Sequence, residues 1–349
     1  MLQDFVEQIR AANGERPLRL RGGGSKDFYG NALHGAILDT REYSGIVSYE
    51  PTELVVTARS GTPLAEIETA LAGQGQMLAF EPPYFSATAT IGGCVASGLS
   101  GPRRAMVGAV RDFVLGVKML DGSGTPLTFG GQVMKNVAGY DVARLMTGSL
   151  GTLGLLLEVS LKVLPLPVAE ATLRLEAPLD KALELMNRWA GQPLPVSATC
   201  WRDDLLTLRL SGARSAVAAA QQRIGGELMN GMNFWRDLRE QQSDFFAGDL
   251  PLWRLSLPSV APSLNLPGAQ LVEWGGSLRW LRSGADAAGI RAAVAQVGGH
   301  ATLFRGGEKQ KTVGVFQPLP PALMALHLKL KHSFDPKGIF NPGRMYPEM

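Results

Sequence analysis

The chain has 349 residues, 45% of them hydrophobic and 19% charged, a globular composition too apolar for a disordered chain. Lys and Arg total 34 against 31 Asp and Glu, a formal net charge of +3, and no block of like charges offers a nucleic-acid arm or a polybasic membrane patch. The two cysteines, Cys94 and Cys200, lie far apart, make no zinc or iron–sulfur ligand set, and suit a reducing compartment.

Residues 2–12 read as a short helix; Asp4 and Glu7 interrupt any apolar core, so this is not a signal peptide. RPLRL (16–20) reads as a strand that runs into a glycine loop, RGGGSK. AILDT, GIVSYEP and ELVVTARS read as short strands, and TPLAEIETALAGQG as a helix bounded by Pro63 and Gly73. QMLAFEPP reads as another strand. The uncharged run from Pro82 to Pro102 is long enough to cross a bilayer, but its prolines, glycines and hydroxyls make it buried loop and short strand. Any membrane association is then peripheral. Residues 110–130 read as a hairpin turning at DGSG. From Lys135, the first part of KNVAGYDVARLMTGSLGTLGLLLEVSLKVLPLP reads as a helix, and its end, GLLLEVSLKVLP, as a long strand broken by Pro165 and Pro167, where a domain boundary is expected.

The second half has a different texture. All six tryptophans, at 189, 201, 235, 253, 274 and 280, lie in it. Strands and helices alternate in an α+β pattern that suits an antiparallel sheet with helices on one face. The tryptophans should pack its core, whereas an exposed cluster would indicate a partner surface. A helix, ALMALHLKLKHSF, and a turn-rich tail, DPKGIFNPGRMYP, end the chain. At about 150 residues per domain the length suits two domains.

Three stretches bear on chemistry. In Arg21-Gly22-Gly23-Gly24-Ser25-Lys26, successive glycine N–H groups can form an anion-binding nest, with Arg21 and Lys26 supplying positive charge. It is neither a Walker loop nor a G-x-G-x-x-G fingerprint, and an ordinary glycine turn reads equally well. In the second, Thr88 to Gly98, small side chains let a flat ligand lie against the backbone; a tightly packed loop is the plainer reading. In the third, Lys135 to Glu158, Gly148, Gly151 and Gly154 recur every three residues, which suits close helix–strand packing.

In sequence order, R-G-G-G-S, A-T-I-G-G-x-x-A-S-G, R-D-F-V-L-G and G-Y-D-x-x-R-L-M-x-G-S-x-G-T-L-G resemble the FAD-binding domain of the vanillyl-alcohol oxidase / p-cresol methylhydroxylase flavoproteins. The tail F-D-P-K-G-I-F-N-P-G-R resembles that family's C-terminus. The length and G-P-R-R are most similar to the FAD-binding subunits of bacterial glycolate oxidases. The resemblance implies a PCMH-type two-part FAD domain over 1–165, an α+β cap domain over 166–319, and a C-terminal helix and tail, 320–349, returning to the FAD domain.

It also implies a cofactor site. Arg21, Gly22, Gly23, Gly24, Ser25 and Lys26 would hold the FAD pyrophosphate. Thr88, Thr90, Ile91, Gly92, Gly93, Val95, Ser97 and Gly98 would line the pyrophosphate and the isoalloxazine, continued by Gly101 and Pro102 and entered past Pro82 and Pro83. Leu155, Leu156, Glu158 and Val159 would meet the adenine. Ser25 and Lys26 stand where some relatives attach flavin through a histidine, so FAD should be non-covalent. Leu150 stands where the family usually has a glutamate.

Oxidising a 2-hydroxy acid also needs a base within reach of the hydroxyl and a cation or metal for the carboxylate. The H-x-G-D-G-N-x-H and E-H-G segments that supply these in catalytic relatives do not occur here. His300 and Arg305 are the remaining candidates, with Arg254 and Arg279 as further carboxylate binders. His34 sits in a loop, and His327 and His332, five apart on a helix, are about 140° apart around its axis.

The expectation is a non-autonomous FAD subunit of a glycolate, and also D-lactate, dehydrogenase complex. The resemblance implies that a sister flavoprotein subunit would carry the substrate site and that an iron–sulfur subunit would pass electrons to the membrane quinone pool. The chain would be cytoplasmic and would meet the inner face of the membrane only through those partners. A self-sufficient oxidoreductase using His300 and Arg305, or a structural subunit with a vestigial flavin site, are the alternatives.

Overall fold

The computed structural model describes residues 1–131 and 140–349. The start of the helix expected from Lys135, up to Gly139, lies outside them; Val142–Leu145 is helical.

The chain divides into two compact units. Unit 1 comprises Met1–Leu99, Ala109–Pro165 and Pro318–Met349, and unit 2 comprises Ser100–Gly108 and Leu166–Gln317. Unit 1 contains strands β1 (Leu18–Arg21), β2 (Ala36–Asp39), β3 (Ile46–Glu50), β4 (Val55–Arg59), β5 (Gln76–Met77), β6 (Val114–Leu120), β7 (Pro126–Gly130), β8 (Leu155–Lys162) and β9 (Leu164–Pro165). β1 and β2 pair in parallel, and β3-β4-β8-β6-β7 form an antiparallel sheet. β8 is central in that sheet. Its sequence LLLEVSLK is accordingly buried almost throughout. The β6–β7 turn closes because the Asp121 carboxylate accepts from the backbone N–H groups of Ser123 and Thr125 at 2.8 and 2.9 Å.

Phe5 and Ile9 of the helix Leu2–Ala11 pack with Leu18, Leu38, Leu155 and Leu157, and the tail adds Ile339 and Phe340 to that cluster. A buried ion pair shapes the tail. Lys331 Nζ donates to Asp335 at 2.6 Å and to the carbonyls of Thr152 and Phe340 at 2.8 Å. Asp335 accepts in turn from the N–H groups of Ile339 and Phe340. Burial lowers the pKa of Lys331, and the Asp335 charge opposes that shift.

Two local expectations are corrected. Ile91–Ser97 is a helix rather than loop and strand: the Thr90 hydroxyl accepts from Gly93 N–H at its start, and Gly98, at φ 66°, ends it. QMLAFEPP is a strand only at Gln76–Met77.

Unit 2 contains β10 (Ala169–Glu176), β11 (Val196–Arg202), β12 (Leu205–Gly212), β13 (Glu227–Met229), β14 (Leu252–Ser256), β15 (Ala269–Glu273), β16 (Leu278–Arg282) and β17 (His300–Arg305). They form one antiparallel sheet in the order β13-β10-β12-β11-β15-β16-β14-β17. One face is apolar. Leu173, Leu208 and Val272 pack under the helices Leu179–Ala190 and Arg214–Ile224, and Trp253, Leu255 and Leu303 under Ala287–Gln296.

By register the opposite face carries Thr172, Arg174, Thr207, Arg209, Cys200, Arg202 and Arg254. It is not bare: Trp235 of the helix Met232–Arg239 donates its indole N–H to Thr172 Oγ1 at 2.9 Å, under the Arg209 guanidinium. Helices therefore cover both faces rather than one. All six tryptophans are buried. The indole N–H groups of Trp201, Trp235, Trp274 and Trp280 each find an oxygen acceptor within 3.0 Å. They are core residues, not a partner surface.

Candidate functional site

Two adjoining cavities of about 90 and 70 Å³ form a groove in unit 1. Leu20, Arg21, Gly22, Gly93, Ala96, Leu150 and Asn341 line both. The first adds Gly23 to Asp27, Leu33, Thr90, Ser97 and Arg344; the second adds Thr40, Ser60, Gly92, Gly151, Gly154, Leu155 and Leu156.

The loop after β1 presents its backbone to this groove. Among the described residues no oxygen accepts from the N–H groups of Gly22, Gly23, Gly24 or Ser25, so four consecutive donors are unpaired. Such a run forms an anion nest. Two of its glycines are required by geometry. A Cβ on Gly23 would run into the Thr88 carbonyl oxygen, and Gly24 adopts φ +70° beside the Arg21 guanidinium. Thr88 fixes the approach by donating its hydroxyl to the Gly23 carbonyl at 2.8 Å. The loop is also electropositive. Asp27 accepts from both Arg19 and Arg21, and Lys26 and Arg344 add two further cations. Arg21, Lys26 and Arg344 thus stand with Asp27 in one lining, a setting that suits an anion.

The tail completes the groove. Asn341 accepts from Leu20 N–H at 2.9 Å and donates to the Leu150 carbonyl at 2.7 Å, tying β1 to the SLGTLG turn. Arg344 donates to the carbonyls of Asp27, Tyr29 and Asn31 and so braces the far side of the glycine loop. Burial lowers its pKa to about 10. Leu150, where the resemblance expects glutamate, has φ 52° and is held there by its N–H bond to Ala96 O at 2.8 Å. Ser60 leaves a buried hydroxyl at the groove wall without a partner among the described residues.

Of the residues expected at the cofactor, Arg21 to Lys26, Thr90, Gly92, Gly93, Ser97, Leu155 and Leu156 line the groove. Pro82, Pro83, Ile91, Val95 and Val159 are buried away from its lining, Thr88 supports the loop from behind, and Gly98 caps the helix. Glu158 pairs with Lys118 at 2.9 Å. Gly101 and Pro102 belong to unit 2, where Gly101 O accepts from Trp274. Asn341 and Arg344 are the additions that residue-level reading missed; their signal was the tail motif F-N-P-G-R.

His300 and Arg305 stand at opposite ends of β17, about 16 Å apart by strand rise, and do not converge on one small substrate. Desolvation and nearby Arg254 lower the pKa of His300, and burial lowers that of Arg305. Arg279 is fully buried and donates to the carbonyls of Ala261 and Pro262, so it staples a loop.

A protein-family model described as FAD binding domain matches residues 2–130. The glycolate oxidase subunit GlcE of Escherichia coli K12 is 51% identical over 348 residues, covering 99% of this chain and 98% of that protein. The chain belongs to the GlcE family. Its cofactor is FAD, and it is a flavoprotein oxidoreductase subunit. The glycolate oxidase subunit GlcD of Bacillus subtilis is 33% identical over 141 residues, 40% of this chain and 29% of that protein. A D-lactate dehydrogenase of Anaerostipes hadrus is 33% identical over 133 residues, 38% and 28% of the two chains. The solved structure of an alkyldihydroxyacetonephosphate synthase superposes with a TM-score of 0.66 over 97% of this chain and 75% of that one, at 14% identity, which shows a shared PCMH-type fold.

The groove fits FAD on its own features. The nest and its cations suit a pyrophosphate, and the orphaned Ser60 hydroxyl suits a polar ligand atom.

Proposed function

We propose that the chain is the FAD-carrying subunit of a complex that oxidises glycolate to glyoxylate, with D-lactate as a second substrate. In this reading it relays electrons or supports assembly, and the substrate site lies on a sister flavoprotein subunit. An iron–sulfur subunit takes the electrons onward to a membrane quinone. Among the described residues no helix is long and apolar enough to cross a membrane, so the reading gives the chain its place on the cytoplasmic face through those partners.

One observation carries the proposal. The four unpaired amides of Gly22 to Ser25 lie in one groove lining and suit an anion nest, while His300, Arg305 and Arg279 lie dispersed. When bound, FAD supplies two-electron oxidation–reduction chemistry. The chain's residues have the binding work: Gly22 to Ser25 would donate to the pyrophosphate, and Arg21, Lys26 and Arg344 would offset its charge. Asn341 would keep β1 and Leu150 at a fixed spacing. Ser25 and Lys26 offer no histidine for attachment, so the cofactor is held without a covalent bond.

The test is to purify the chain alone, record its visible spectrum and add glycolate without oxygen. A flavin spectrum that glycolate does not bleach is expected. Bleaching at a catalytic rate would make the chain an enzyme in its own right, and failure to take up added FAD would overturn the cofactor role.

A further inference from the structure

We infer that unit 2 contains a second ligand site, for a small organic acid with an apolar body, in the cavity beside the helix Met232–Arg239. The cavity has a volume of about 300 Å³, at the low end of the ~300–1,000 Å³ usual for small-molecule pockets. Leu205, Leu238, Leu271 and the Phe234 ring supply much of its wall. Cys200 adds to that wall as a neutral thiol, because burial and then the charge of Glu273 raise its pKa well above the usual value.

The polar groups decide the ligand. Asp244 takes a fork from Arg202 at 2.5 and 2.9 Å, and Asp203 takes Arg202 Nε at 2.9 Å. Asp237 is paired with Arg236 at 3.1 Å. Every carboxylate lining the cavity therefore has its arginine. Arg174 is different. Among the described residues its side chain has no hydrogen bond or ion pair, and its Nε is buried without an acceptor. The Ser243 hydroxyl, in the same lining, is likewise buried without a partner.

Two buried donors without acceptors are rare in native folds unless a ligand or water supplies the oxygen. A carboxylate has two oxygens and would satisfy both, and its charge would balance the one unpaired guanidinium. A dianion such as phosphate is disfavoured by Asp203, Asp237 and Asp244 in the same lining. The apolar walls then call for a hydrocarbon body behind the carboxylate. This site is independent of the FAD groove, since every lining residue belongs to unit 2.

The test uses the full-length, FAD-loaded protein and calorimetric titration with hexanoate and benzoate, each beside its neutral amide. The acids should bind at least about tenfold more tightly than the amides. Arg174→Gln should weaken the acids by about 10- to 100-fold, and Ser243→Ala by about three- to tenfold, with the flavin spectrum unchanged in both. Ser243→Ala removes one oxygen atom and keeps the test decisive should Arg174→Gln fold poorly. The proposal is overturned if neither acid binds, which would leave the cavity to ordered water. Equal binding of acid and amide would also overturn it, as would full affinity in both variants. Loss of acid binding in Gly23→Asp would move the site to the FAD groove and overturn the assignment as well.

Discussion

The groove of unit 1 and the arginine-bearing sheet face of unit 2 both offer hydrogen-bond donors to an anion, but they are built from different material. Unit 1 offers four successive backbone amides from one loop, with the side chains of Arg21, Lys26 and Arg344 adding positive charge beside them. Unit 2 offers the side chains of Arg174 and Ser243, 69 residues apart in the sequence but in the lining of one cavity. A backbone site tolerates most side-chain changes and fails where a Cβ cannot fit. A side-chain site fails at each donor separately. That difference governs what each should do under mutation.

The largest expected effect lies in the support of the backbone site. Lys331→Met leaves the buried Asp335 carboxylate without its cation and should cost about 3–5 kcal/mol in denaturant unfolding. Because Asn341 and Arg344 follow in the same tail, FAD retention should fall with it. A loss below about 1 kcal/mol, the scale of an exposed ion pair, would show that the tail holds its place without the pair.

Gly23→Asp strikes the nest itself. The new Cβ meets the Thr88 carbonyl and the new charge faces the pyrophosphate site, so FAD affinity should fall at least about 100-fold, near 2.7 kcal/mol. Flavin absorbance after desalting measures this. The near-ultraviolet circular dichroism of the tryptophans, all in unit 2, should be unchanged. A variant that keeps its yellow colour would remove the main distinction drawn between the two regions.

The smallest effect tests the charged edge of unit 2. Burial raises the pKa of the Glu170 carboxyl, but hydrogen bonds from Ser211 and Arg103 and the charge of Arg209 outweigh that and hold it below its ordinary value. A carboxylate lowered on folding contributes stability above its unfolded pKa and loses it as pH falls through the folded value. Between about pH 5 and pH 3 the wild type should therefore lose more stability than Glu170→Gln, by at most about 1 kcal/mol for this partly exposed group. Melting temperatures of the two proteins across that range give the comparison; parallel curves would show the bridge to be idle.

Much of unit 1 was legible because its signals are local. Gly22 to Gly24 stand together, the DGSG turn lies between matched strands, and LLLEVSLK reads as a buried strand because it is one. The helix Ile91–Ser97 was not legible: its two glycines and the β-branched Ile91 and Val95 lower its helix propensity, and a Thr90 cap and close packing support it. The short helix covering the polar sheet face was also missed, since MNFWRDLR carries no sign of which face its Trp235 meets.

By itself, the sequence determined the glycine loop and the α+β texture of the second half, because backbone conformation and local sterics act between near neighbours in the chain, while the class of the first half was carried by the resemblance of its motifs. Only the tertiary structure decided that Asn341 and Arg344 brace that loop, that His300 and Arg305 stand at opposite ends of one strand, and that Arg174 is left without an acid among the described residues. Those outcomes depend on strand order and on which oxygens reach a buried donor, and such distances are set by packing across hundreds of residues.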